Sequence, residues 1–261
     1  MRVPVLRSGV VSLAAVALLG ACGARDTDGA GESCAGGTVT VLAASSLGPA
    51  LTEAGAAFRE STGCDADLRV STGSSTSLAG QIVGGAPADV FVAAGENAAR
   101  SVVDAVDGAG EPLLFAANVA ALMTRDPSVA SVGDLVTARS RGVTVGLCVS
   151  SAPCGALADE VLAKAAPGST RDLIVSTEAP SAGDLRAKIM MGEVDAGVVF
   201  ASDCTGVASP VRCSDIPAAQ NSRVGYYAVA LRADRASQEL VRFLASPDGA
   251  EFLGGYGFLA P

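Results

Sequence analysis

The chain has 261 residues, 49% of them hydrophobic and only 4% aromatic, with no histidine and a net charge of −9. That charge argues against a nucleic-acid partner and against long-range attraction of an anion, so any bound anion must be held by local dipoles. The lack of histidine removes the commonest general base and metal ligand.

Arg2 and Arg7 give a basic start, followed by an apolar run, Val10–Leu19, too short for a permanent membrane anchor. Leu19-Gly20-Ala21-Cys22 fits the processing site of a bacterial lipoprotein, so residues 1–21 read as a signal peptide and Cys22 as the lipidated N-terminus. Residues 22–34, rich in Gly and Asp, read as a flexible tether. Without Arg2 and Arg7, 16 cations face 27 carboxylates and the mature chain carries −11. No later apolar stretch is long enough to span a bilayer.

Strand and helix patterns then alternate. Strands are predicted at Thr38–Ala43, Ala66–Ser71, Asp89–Ala93, Val119–Thr124, Val143–Leu147, Leu173–Ser176, Ala196–Ala201 and Gly225–Leu231. Helices are predicted at Pro49–Ser61, Ser77–Gly84, Glu96–Val106, Gly155–Ala165, Gly183–Gly192 and Arg235–Ala245. This alternation predicts mainly parallel sheets flanked by helices, with ligands bound beyond the carboxyl ends of the strands.

Those strand ends carry hydroxyls. Val39–Ala44 runs into Ser45 and Ser46, and Val70 leads to Ser74, Ser75, Thr76 and Ser77. Leu147 leads to "CVSSAPCGALADEVL", and Val175 to "STEAPSAGDLRAKIM", where Ser181 and Asp184 have the spacing of a capping box. Helix capping explains any one junction. Four in one chain favour convergence on a shared anion-binding pocket.

Cys34, Cys64, Cys148, Cys154, Cys204 and Cys213 form an even set in an exported chain, which predicts disulfides, although six cysteines permit about 15 pairings. Cys34 and Cys64 each precede a predicted strand, and adjacent parallel strands would bring them together. Cys148 with Cys154, and Cys204 with Cys213, would each close one loop. Metal binding is the rival, with neither CxxC nor histidine to support it.

"TVLAASSL", "GSSTSLAGQIVGGAPADVF", "DLRAKIMMGEVDAGVVFASD" and the closing "YGF" resemble the molybdate-binding proteins of bacterial ABC importers, which are class II periplasmic-type binding proteins. The resemblance runs from about residue 38 to the end. It implies two α/β lobes, residues 35–116 with 226–261 and residues 117–225, closing on a tetrahedral oxyanion. It also implies ligand hydroxyls from Ser46 and Ser75, and main-chain donors at Cys154 and Leu185. Phe200 falls where many members have a tyrosine whose hydroxyl reaches the oxyanion. Ser45, Ser74 and Thr76 are then expected to be caps or solvent-facing turns. Arg186 is expected on a helix face, toward solvent or Asp184.

The implied function is binding of molybdate, with tungstate expected as well, and delivery to the permease and ATPase subunits of an ABC importer. The protein would be a monomer held at the outer face of the cytoplasmic membrane, with no cofactor and with molybdenum present only as the oxyanion. The rivals are a receptor of the same fold for sulfate or another anion, and a serine hydrolase. For the hydrolase there is no G-x-S-x-G, and neither Lys164 nor Lys188 follows a serine at S-x-x-K spacing.

Overall fold

The computed structural model describes Cys34 and residues 37–261. The expected signal peptide, Cys22 and all of the tether before Cys34 lie outside the described residues. From the amino end the elements are β1 (Gly37–Ala44), α1 (Gly48–Thr62), β2 (Ala66–Gly73), α2 (Ser75–Val83), β3 (Val90–Ala94) and α3 (Glu96–Val103). Next come β4 (Leu113–Thr124), α4 (Val132–Ala138), β5 (Val145–Cys148), α5 (Pro153–Ala165) and α6 (Arg171–Ile174). The chain closes with β6 (Thr177–Ala179), α7 (Ala182–Met191), β7 (Ala196–Phe200), β8 (Arg212–Asp215), β9 (Arg223–Ala230), α8 (Arg235–Leu244) and α9 (Pro247–Gly254).

The strands follow the order β2-β1-β3-β9-β4-β7-β5-β6, with β8 on β4. β1 pairs in parallel with β2 and β3, and β5 with β6 and β7. Every antiparallel pair involves β4 or β9. β4 is shared: Leu113–Val119 run along β9, and Ala120–Thr124 along β7 and β8. The mainly parallel pattern therefore holds within each half, and the long strands that join the halves break it. Positions 116/117 and 225/226 fall inside those two strands.

β3, β5 and β7 are buried at every residue, as suits short apolar strands covered on both faces. Few aromatics are present, and they are concentrated. Phe58 meets Phe243 with ring centroids 5.8 Å apart, while Tyr226 is surrounded by Phe258, Phe200 and Phe115 at 5.2, 6.1 and 6.5 Å. Such edge-on pairs add about 0.5–1.5 kcal/mol each beyond the area they bury.

One predicted strand is corrected. Leu173–Ser176 is helical at Arg171–Ile174, and the strand beside β5 is Thr177–Ala179. Arg171 anchors this turn by ion pairs to Asp159 and Glu178, while Ile174 is its buried residue. α4, β8 and α9 were not anticipated, although Ser131 with Asp134, and Ser246 followed by Pro247, are ordinary helix-start signals.

All three expected disulfides are present: Cys34–Cys64, Cys148–Cys154 and Cys204–Cys213. The second closes the turn between β5 and α5, and the helix packs so closely there that a Cβ on Gly155 would lie 2.0 Å from the Val149 carbonyl oxygen. Gly155→Ala should therefore lower the thermal midpoint sharply. Gly80→Ala, in a helix position with no atom within 4 Å of the new Cβ, should be neutral or stabilising by up to about 1 kcal/mol. Equal effects from the two substitutions would contradict this packing.

Candidate functional site

The register brings the four hydroxyl-bearing junctions to one place. Ala44 at the end of β1 lies beside Gly73 at the end of β2, and Cys148 at the end of β5 beside Ala179 at the end of β6. Between these ends is a small cavity of about 10 Å³, lined among others by Ser45, Ser46, Ser75, Cys154, Ala182 and Phe200. That free space is on the order of one water. None of its lining residues is charged. Two larger cavities adjoin it. A cavity of about 230 Å³ shares Ser45 and Ser46 with it, and one of about 790 Å³ shares Ala94 and Pro153.

Each junction is built differently. Ser45–Leu47 form a 3-10 turn without a side-chain cap, and Pro49 follows in the first turn of α1. The Ser46 oxygen is buried and lies 2.7 Å from the Tyr226 hydroxyl. Ser75 opens α2, also buried, and its oxygen accepts the Ala94 N–H at 2.9 Å. With that lone pair occupied, the Ser75 proton is available elsewhere. α5 opens with Pro153, which has no N–H, and then Cys154, whose N–H precedes any carbonyl the helix can offer it.

At the fourth junction the simpler reading holds: Ser181 is a cap. Its oxygen accepts the Asp184 N–H at 3.2 Å and its hydroxyl donates to the Asp184 carboxylate at 2.6 Å. Leu185, expected as a main-chain donor, is not brought to the cavity. Its N–H donates to the Ser181 carbonyl at 3.0 Å, inside the helix, and Ala182 stands at the cavity instead. Phe200, at the end of β7, lines the cavity.

Two residues expected to be bystanders are not. The Ser45 oxygen accepts the Gly183 N–H at 2.9 Å, and Thr76 donates to the Ser151 carbonyl at 2.8 Å. Both bonds cross from the β1–β2 side of the cleft to the β5–β6 side. Ser74 holds the cap position of α2 but makes no side-chain cap bond.

Arg186 also departs from expectation. It lines the 230 Å³ cavity and donates from Nε to the Asp203 carbonyl at 2.8 Å and from its terminal nitrogen to Thr205 at 3.4 Å. Asp203 itself is buried, with its carboxylate accepting the Phe200 N–H at 3.0 Å. Burial pushes that carboxyl up to about 7, against the opposing pull of the Phe200 N–H and Arg186. Tyr226 and Asp203 were not foreseen. The signal for Tyr226 was available in Tyr226-Tyr227 on a buried strand, where alternation must bury one phenol and oblige it to find a partner. Among the described residues no cluster of three or more His, Cys, Asp or Glu could hold a metal ion.

The chain matches the family described as bacterial extracellular solute-binding protein over residues 39–259. It is 31% identical over 263 residues to the molybdate-binding protein ModA of Mycobacterium tuberculosis strain H37Rv, covering 98% of each chain. In structure it is similar to the periplasmic molybdate-binding protein of Azotobacter vinelandii, with a TM-score of 0.71, 21% identity, and 85% and 99% of the two chains covered. It is also similar to the sulfate-binding protein SubI of M. tuberculosis, with a TM-score of 0.72, 16% identity, and 85% and 86% covered. These two structural likenesses carry the fold alone.

Asp203 yields a prediction with a definite sign. Its folded value, about 7, lies above the value of about 4 in an unfolded chain. The folded protein therefore holds this proton more tightly, and the stability that it contributes is full below pH 4 and lost as pH rises to about 7. Asp203→Asn cannot ionise and should show a flatter decline of thermal midpoint across that window. Parallel profiles for the two proteins would mean that the carboxyl is not perturbed.

Proposed function

The chain belongs to the bacterial extracellular solute-binding proteins, and from that premise we propose that it captures molybdate outside the cytoplasm for an ABC importer. The observation that carries this reading is the small cavity at four strand ends, lined by hydroxyls and helix starts and by no charged side chain. Molybdate is fully deprotonated near neutral pH, so it needs donors and no acceptors. Hydroxyls and unpaired N–H groups at helix starts supply them without a buried counter-charge. Phosphate usually keeps a proton, and that proton would face donors only.

In this reading Ser46 and Ser75 donate from the β1–β2 side, and the N–H groups that open α5 and α7 donate from the β5–β6 side, Cys154 among them. Tungstate, of the same charge and shape, is bound as well. Sulfate also satisfies a donor-only site and is excluded by size alone. Phe200 cannot donate a hydrogen bond. Ser45, whose oxygen is already occupied by the Gly183 N–H, lines the cavity too and supplies a hydroxyl in its place. A lipid on Cys22 would hold the receptor beside its permease, and the protein acts as a monomeric carrier rather than an enzyme.

Calorimetric titration of the purified protein with molybdate, tungstate, sulfate and phosphate tests this. Molybdate and tungstate should bind tightest, and a clear preference for sulfate or phosphate would overturn the assignment. A charge-assisted hydrogen bond is worth roughly 1.5–3 kcal/mol. Ser46→Ala and Ser75→Ala should each weaken molybdate binding about tenfold to a hundredfold while the protein stays folded. Phe200→Tyr, adding a donor where Ser45 already serves, should change affinity less than about tenfold.

A further inference from the structure

Tyr226 heads the fully buried side chains by size, yet it does not line the cavity. Its ring is fixed edge-on by Phe258, Phe200 and Phe115, which leaves the hydroxyl no freedom to swing. That hydroxyl has two polar neighbours, the Ser46 oxygen at 2.7 Å and the amide of Asn118. Asn118 is buried too, and its amide nitrogen also donates to Ser202 at 2.7 Å. An amide nitrogen carries two protons and can only donate, so it gives one to Ser202 and one to the Tyr226 oxygen.

The direction of the remaining bond follows. If Ser46 donated to Tyr226, the phenol would accept twice and its own proton would be buried with no acceptor, an arrangement that folded proteins avoid. If Tyr226 donates to Ser46, every proton has a place and the Ser46 proton is free to turn into the cavity. Burial pushes the phenol well above its ordinary range, so it remains protonated, and therefore a donor, at any physiological pH. The main chain reinforces the arrangement. Tyr226 is paired with Ala94 across β9 and β3, and the Ala94 N–H occupies the Ser75 oxygen. One cross-strand pair thus directs both serines.

Resting on the oxyanion reading above, we propose that Tyr226 is a positioning residue for the ligand site. Its hydroxyl occupies one lone pair of the Ser46 oxygen and leaves the Ser46 proton for the cavity, so that Ser46 is presented to the ligand as a donor, and the site favours fully deprotonated oxyanions over protonated ones. Asn118 sets the direction of the relay from behind.

The test is a double-mutant cycle on the full chain, with Tyr226→Phe, Ser46→Ala and the pair, titrated with molybdate and sulfate and with phosphate at pH 8. Tyr226→Phe removes one oxygen and keeps the ring. It should weaken molybdate binding about three- to thirtyfold, and phosphate by less, since Ser46 could then accept the phosphate proton. In the Ser46→Ala background the same change should cost less than about twofold, because Tyr226 acts through Ser46. A merely structural role for the phenol would give losses that multiply. Multiplying losses, or unchanged molybdate affinity in Tyr226→Phe, would overturn the inference. Asn118→Ser, which removes the amide donor, is the second variant should Tyr226→Phe not fold, and its loss should depend on Ser46 in the same way. A wild type that bound sulfate and not molybdate would refute the molybdate assignment, and the cycle run on sulfate would still decide the role of Tyr226.

Discussion

A hydroxyl group has one proton and two lone pairs, so what a serine offers a ligand is settled by what already occupies its oxygen. At this cleft the surrounding protein occupies three such oxygens. The Ala94 N–H bonds Ser75, the Gly183 N–H bonds Ser45, and the Tyr226 hydroxyl lies 2.7 Å from Ser46. Each partner is a main-chain group or a fully buried phenol, so none can rotate away. The sheet and the aromatic cluster around Tyr226 therefore do more than provide a core. They fix the polarity of the cavity wall, and the helix starts beside it add further N–H groups of the same sign.

The joining strands explain how such a wall can both form and open. The halves of the molecule share the β4–β9 ladder, which runs from Leu113 to Val119 on one strand and carries much of the sheet. Across the cleft itself, the side-chain bonds from Ser45 to Gly183 and from Thr76 to Ser151 span the gap. Each is worth about 0.5–1.5 kcal/mol net. A third bond, from the Thr205 hydroxyl to the Tyr256 carbonyl, also joins the halves, and all three are single side-chain bonds, whereas β4 and β9 are joined by a ladder of main-chain bonds.

Much of this was legible in the sequence, for a physical reason. Buried strands that end in hydroxyls leave a local signature, and Ser46 and Ser75 line the cavity at two such ends, while Cys154 and Phe200, expected from the family resemblance, line it as well. Where the reading failed, the deciding partner was distant in the chain. Leu185 is implied as a donor by the family resemblance, and the observed start of α7 bonds its N–H to the Ser181 carbonyl. Ser45 and Thr76 looked like turns because their partners, Gly183 and Ser151, lie on the opposite side of the cleft. β4 is predicted from Val119 but begins at Leu113, with Asn118 inside it. That asparagine is buried where the strand passes from one half to the other, with Ser202 and Tyr226 as its polar neighbours.

The absence of charge at the cavity is the last thing to account for in a chain of net charge −9. A lysine or arginine there would attract any anion, protonated or not, and would pull on the ligand wherever it sat. Fixed hydroxyl and amide donors act over a hydrogen-bond length and reject a ligand that brings its own proton. Charge lies instead in the adjoining cavities. Arg186 borders the adjoining cavity, with its guanidinium held by the Asp203 and Thr205 carbonyls, and the Asp203 carboxyl beside it is kept largely neutral below about pH 7 by burial. The adjoining cavity thus carries a guanidinium beside a carboxyl that burial holds protonated, while the small cavity itself presents only hydroxyl, main-chain and apolar groups.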